Sequence, residues 1–167
     1  MLLLRRASDW TDCLARVLLV PIGIAFIVVV FLGVLTRYVF RAPIITSVEL
    51  ARIGFVWSAF LGAAICLKKG KHTQFLFLLE RLHGTLRGAV KVMISFLSTG
   101  FFSLLTVKGV QMVQAVQDTY FPALGWSQIW LYLPVPVCSA LMLVHSFTFL
   151  AGDIQDMIRT KGEEIVR

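Results

Sequence analysis

Residues 17–36 read VLLVPIGIAFIVVVFLGVLT, an uncharged run that constrains the chain more than any other stretch. At about 1.5 Å rise per residue, a helix of this length crosses the roughly 30 Å hydrocarbon layer of a bilayer. Lipid offers no partners to backbone N–H and C=O groups, so the run is predicted to be helical. A cleaved leader has a shorter apolar region and a small-x-small cleavage site, and Gly33-Val34-Leu35-Thr36-Arg37 offers none. The run is therefore expected to be a first transmembrane helix kept in the mature protein.

Composition agrees. The chain is 58% hydrophobic and 15% charged, with a mean hydropathy of +0.84, whereas soluble domains carry about 25% charged residues. An all-α membrane protein in contact with the lipid bilayer is predicted. The net charge of +7 does not imply nucleic acid, because the basic residues flank apolar spans instead of gathering on one solvated face. Cys13, Cys66 and Cys138 lie far apart, without the spacing of a metal site, and no disulfide is expected.

Four transmembrane helices are predicted, over residues 17–36, 48–67, 89–107 and 128–150. Residues 1–16 place Arg5, Asp9, Asp12 and Arg16 on one face with Leu3, Trp10 and Leu14 opposite, which reads as a short amphipathic N-terminal helix in the headgroup region. Arg41-Ala42-Pro43 breaks the first hairpin, and Ser47 is placed to cap the second span. Gly54, Ser58 and Gly62 recur four apart on that span, a face that admits a close helix partner. Lys68, Lys69, Lys71 and His72 form its basic exit. Residues 73–87 carry Phe75, Leu79, Leu82 and Leu86 on one stripe, an interfacial amphipathic helix between the second and third spans.

The third span carries a stripe of Ser95, Thr99, Ser103 and Thr106 expected to face protein, and its helix is allowed to run on to Gln117. Phe121-Pro122-Ala123-Leu124-Gly125 reads as a turn. Trp126, Trp130 and Tyr132, with Trp10 at the other boundary, suit interfacial anchors. Residues 153–167 form a charged tail predicted as a short helix. Basic residues crowd the side holding both termini, while the other side holds Arg37, Arg41, Arg52 and Lys108, so both termini are expected to be cytoplasmic.

A self-sufficient pump needs ionisable groups at membrane depth, and within the predicted spans only Glu49, near a boundary, is acidic. Arg37, Arg41, Glu49 and Arg52 form an outer-face ion cluster with two readings: a local ion pair that fixes the first hairpin, or a contact that reaches a partner protein. His145 is the only histidine within a predicted span, too few for facing haem ligands. No serine has a histidine and carboxylate in evident reach, and no phosphate loop appears. No enzyme activity, cofactor or metal is expected. An autonomous transporter or channel of identical subunits, or an anchor for another membrane complex, stand as alternatives to a transporter subunit.

Arg37-Tyr38-Val39-Phe40, Pro43, Glu49-Leu50-Ala51-Arg52, Phe55-Val56-Trp57, Phe60-Leu61-Gly62-Ala63-Ala64, Lys69-Gly70-Lys71-His72, Pro122-Ala123-Leu124-Gly125, Trp130, Tyr132 and Pro136 succeed one another in a familiar order. In these the chain resembles the small membrane subunit of tripartite ATP-independent periplasmic (TRAP) transporters, the DctQ-type family. It departs from the family pattern at Thr46, Val48 and Leu76. The resemblance implies a bacterial inner-membrane subunit with two partners. One is a large multi-span subunit that moves an organic acid with sodium; the other is a soluble periplasmic solute-binding protein. It also implies a bracing role for this chain.

Overall fold

The structure, a computed structural model, describes residues 2–70 and 85–165. Among the described residues four helical stretches are long and apolar enough to cross a membrane: Trp10–Tyr38, Ile45–Lys68, Gly88–Ala115 and Ile129–Met157. Among the described residues the only strand-like feature is an isolated bridge between Tyr120 and Ser127. The chain is thus an all-α membrane protein with four spans.

Helix α1 (Leu2–Tyr38) runs unbroken for 37 residues, about 55 Å at the usual rise. The separate helix expected over residues 1–16 is instead its beginning. Nothing in that stretch breaks a helix, and the i,i+4 pair of Asp12 and Arg16 (2.6 Å) supports its continuation. Asp12 and Ala15 are buried against the rest of the protein, so this turn packs on protein where a headgroup location was expected.

The helix ends on carbonyls of Leu35 and Thr36 that accept from the N–H groups of Val39, Phe40 and Ala42. This requires Arg41 to adopt φ +53°, a left-handed conformation that costs a non-glycine residue about 1–2 kcal/mol. Helix α2 (Ile45–Gly70) then starts before Ser47. The Ser47 hydroxyl donates to the Ile44 carbonyl at 2.6 Å, and so does not act as the expected N-terminal cap. It meets α1 closely: a Cβ on Gly33 would lie 2.9 Å from Ser47 Oγ, and one on Gly54 would lie 3.0 Å from Phe26 Cβ.

Helix α3 (Thr85–Ala115) lies along α5 (Pro134–Ile165), which is preceded by the short α4 (Ile129–Tyr132). The charged tail is continuous with α5 as far as Ile165. Ser95 Oγ donates to Asp153 at 2.5 Å, and Thr106 Oγ1 lies 3.0 Å from Ser139 Oγ, so these members of the hydroxyl stripe reach α5. α1 and α2 also pack on α5, which makes it the hub of the fold. Ala15, Leu61, Ile65 and Cys138 meet there, ringed by Leu19, Ile22, Trp57 and Phe60. Of the interfacial helix expected over residues 73–87, residues 73–84 lie outside the described chain, and Thr85 onward is the first turn of α3.

α3 and α5 come into close contact at Gly109, where a Cβ would sit 2.9 Å from Pro136 N and 3.1 Å from Val135 Cγ1. Gly109→Leu should therefore force the two helices apart at a cost of about 1–3 kcal/mol. The measurement is the thermal midpoint of the purified protein in detergent. Gly23→Leu, where nothing lies within 4 Å of the added Cβ, should leave it nearly unchanged.

Candidate functional site

Polar contacts gather at both ends of the bundle, and at each end at least one of them joins the α1–α2 hairpin to the α3–α5 hairpin. At the end away from the termini, residues 121–125 form a single helical turn. The Gly125 N–H donates to the Phe121 carbonyl at 2.9 Å, and Phe121 N–H to the Trp126 carbonyl at 2.8 Å. Gly125 closes the turn at φ +70°, a conformation that glycine adopts without strain. The N–H groups of Ala123 and Leu124 fall at the start of this turn, ahead of the Gly125 N–H that closes it, and so have no carbonyl partner inside it. Both go to Glu49 of α2: Ala123 N–H to Oε1 at 3.1 Å and Leu124 N–H to Oε2 at 2.7 Å. One carboxylate thus satisfies two backbone donors across the hairpins.

A second tie has the same logic. In an unbroken helix the Trp130 carbonyl would accept from the N–H of residue 134, but residue 134 is proline. The Trp57 indole N–H takes its place, at 2.9 Å from the Trp130 oxygen. A sequence reading that treats Pro134 only as tolerated near a helix start, and Trp130 only as an anchor, misses this pairing. The signal was a proline four residues after a carbonyl that then needs another donor.

Arg37, Arg41 and Arg52 are exposed. Among the described residues none forms an ion pair with Glu49, whose two oxygens face the backbone of the 121–125 turn. The Arg37 guanidinium lies 5.9 Å from the centroid of the Tyr38 ring. The structure therefore brings the four residues of the expected cluster onto one hairpin end and gives Glu49 a different partner from the arginines.

At the end carrying the termini, Asp12 is 6% exposed. Its Oδ2 lies 2.6 Å from Arg16 and 3.5 Å from Lys68 Nζ, so the first lysine of the basic exit serves an internal contact. Thr11 Oγ1 lies 3.4 Å from Nε2 of His145, which is 1% exposed. Asp153 is likewise buried and sits 3.9 Å from Lys91. Sequence reasoning placed Asp12 on a surface helix and missed its burial, because nothing local distinguishes a headgroup helix from an extended span. Lys71 and His72 lie outside the described residues, as does the Lys69 side chain.

On the small-residue face of α2, Gly54 meets Phe26 of α1, Ser58 Oγ is buried with no hydrogen-bond partner among the described residues, and Gly62 has open space before it. Trp10, Trp126 and Trp130 are exposed, while Tyr132 is partly covered. Among the described residues no group of three or more His, Cys, Asp or Glu side chains is arranged to hold a metal.

Residues 26–156, most of the chain and all of the Glu49 and Trp57 ties, match the family described as tripartite ATP-independent periplasmic transporters, DctQ component. The chain belongs to the DctQ family. It is 25% identical over 128 residues to a sialic acid TRAP transporter small permease protein, SiaQ, of Vibrio cholerae, covering 77% of this chain and 74% of that one. It is 29% identical over 123 residues to a sialic acid TRAP transporter permease protein, SiaT, of Haemophilus influenzae, covering 72% of this chain but 20% of that one. A Haemophilus influenzae protein named as a putative TRAP transporter small permease matches at 29% over 80 residues, half of its length. The chain therefore spans about a fifth of the length of the Haemophilus SiaT permease.

If Glu49 holds this DctQ chain's two hairpins together, Glu49→Ala leaves two backbone donors without their acceptor and should cost about 2–3 kcal/mol. Glu49→Gln retains one acceptor oxygen and should cost less. Thermal unfolding of both variants in detergent checks the order; equal midpoints for Glu49→Ala and the parent would show that the carboxylate is not the tie.

Proposed function

We propose that this small TRAP subunit is a brace that enlarges the fixed scaffold of a large permease subunit, which carries an organic acid across the bacterial inner membrane with sodium. The observation that carries this reading is where its polar side chains go. Glu49, Asp12 and Asp153 are each engaged by groups of the chain itself, and the Thr106 and Ser95 hydroxyls reach across to α5. A subunit that moves solute commits ionisable groups to a path through the membrane; here they hold helices to helices. The outward faces of α1 and α3 are apolar, with Ile24, Ile27 and Phe31 exposed on one and Phe96, Leu97 and Phe101 on the other.

The comparisons support the partner and the substrate class. The stretch related to this chain makes up one fifth of a much longer permease protein in Haemophilus influenzae, which fits a small unit working beside a large one. The named solute of two relatives, sialic acid, is an organic acid. The third component of a tripartite system is a soluble periplasmic binding protein, and the Arg37 and Arg41 end of this chain faces it on the proposed orientation. That orientation rests on the excess of basic residues at the end carrying both termini.

On this reading Gly62 is a contact point for the large subunit, since it is open on its own chain and small residues let helices approach in lipid. Gly62→Leu should lower copurification of the large subunit while leaving this chain's own abundance in the membrane unchanged; full copurification would remove Gly62 from the interface. The orientation has its own check. A reporter that is active only in the cytoplasm, fused after Arg167, should be active, and activity of an export-dependent reporter at the same position would reverse the topology.

A further inference from the structure

Helix α1 carries Pro21 on its outward face. A helical carbonyl accepts from the N–H four residues on, so Pro21, which has none, frees the carbonyl of Val17. Among the described residues no side chain donates to that carbonyl. Its surroundings are apolar. Asp12 faces Lys68 at the polar end of α1 and α2, and Val17 lies about 7 Å further along α1 at the usual rise. Ala15, Leu19 and Ile22 on the same stretch of helix turn into the apolar core. Val17 itself is 65% exposed, Val20 61% and Ile24 59%.

An unsatisfied carbonyl in hydrocarbon is costly, and proline is tolerated in membrane helices where a neighbouring helix supplies the missing donor. This chain uses that device once within itself: the carbonyl that Pro134 frees on Trp130 receives the indole N–H of Trp57 from another helix. At Val17 the sources of a donor narrow to one. Lipid tails have none, and a bridging water needs two or more polar partners, which the side chains of Val20 and Ile24 do not offer. A second copy of this chain does not supply the donor either. Among the described residues, the exposed side chains of residues 17–31, 55–63, 93–107 and 134–148 all lack N–H and O–H groups. A different membrane protein is left.

We infer that the Val17 carbonyl is an open acceptor for a side-chain N–H or O–H on a membrane helix of the large permease subunit. Pro21 is the residue that frees it, and Val20 and Ile24 form the apolar rim that keeps water from it. This rests on the proposed assembly and adds to it one polar contact on α1. Apolar side chains meet lipid tails and protein on nearly equal terms, so an apolar face alone sets neither the rotation nor the level of α1 against its partner. One hydrogen bond at a fixed depth sets both.

The test measures association of this chain with the purified large permease subunit in liposomes, by energy transfer between the labelled subunits. Pro21→Ala and Pro21→Leu each restore the N–H that closes the Val17 carbonyl inside α1. Both should weaken association by about three- to tenfold, the worth of one interhelical hydrogen bond in lipid. The thermal midpoint of the isolated chain should stay level or rise in both, since each removes a proline from a helix interior. Replacing Leu18 by its α-hydroxy acid turns the Val17 carbonyl into an ester carbonyl, a poorer acceptor, with Pro21 still in place, and should weaken association too. Parent affinity in both proline variants overturns the open acceptor and leaves the assembly standing. A loss with Pro21→Ala alone, or an ester that associates as tightly as the parent, assigns the effect to helix shape and overturns it as well. So does a fall in the midpoint of the isolated proline variants. If the parent does not associate with the large subunit, the assembly fails, and the acceptor with it.

Discussion

Two helical hairpins in a bilayer gain nothing from hydrophobic association, because lipid tails are as apolar as the side chains they meet. What holds them has to be close packing together with polar groups that have no better partner, and the Glu49 carboxylate is the clearest example. Without it, the Ala123 and Leu124 N–H groups would lack acceptors at the membrane boundary, since their own turn offers none. The Trp57 indole repeats the device on the carbonyl that Pro134 leaves free. In both cases an irregularity in one hairpin creates an unsatisfied backbone group, and a side chain from α2 satisfies it. The relative position of the two hairpins is thereby defined at one end by three hydrogen bonds.

The other end is held differently. Asp12 and Asp153 are buried carboxylates with bases beside them, Arg16 and Lys68 for the first and Lys91 for the second. Such pairs add little net stability relative to apolar packing, but removing one partner leaves a buried charge and costs several kcal/mol, about 3–5. They therefore act mainly as register constraints: α1 cannot slide along α2, nor α3 along α5, without stranding a charge. Between the two ends α5 touches every other long helix, which leaves α1 and α3 with broad faces for lipid or for another subunit. A brace with two fixed ends and free outer faces suits the role proposed for it.

Most of this fold was legible in the sequence, because apolar length and helical satisfaction of the backbone leave few alternatives in lipid. The four spans fall where hydropathy puts them, and α3 runs on past Lys108 to Ala115 as the sequence allows, but α1 begins well before Val17. That early start has one cause. Charged residues end an apolar run but do not end a helix, so Asp12 and Arg16 read as a boundary while the backbone continues through them. Ser47 misled in the opposite way, since a hydroxyl near a helix start serves as readily as a donor to the preceding carbonyl as it does as a cap. The close packing at Gly33 and Gly109 was not legible, because glycine spacing shows that a helix can be approached but not by which neighbour.

The fate of the expected ion cluster shows what sequence proximity of opposite charges leaves undetermined. Glu49 and Arg52 sit one helical turn apart, and the simplest expectation pairs them. An exposed arginine, however, keeps water as a partner at little cost, and an exposed pair of this kind contributes only about 0–1 kcal/mol. The N–H groups of Ala123 and Leu124 are partly buried and have less access to water, and leaving a buried N–H unsatisfied costs about 1–3 kcal/mol. The carboxylate therefore goes to the group with the greater need, here Ala123 and Leu124, and the arginines keep their charge at the surface. The same comparison applies to other membrane hairpins where an acidic residue near a boundary precedes an arginine by one turn. If the start of a helical turn lies within reach, its orphan donors claim the acid first, and the arginine is left to face outward.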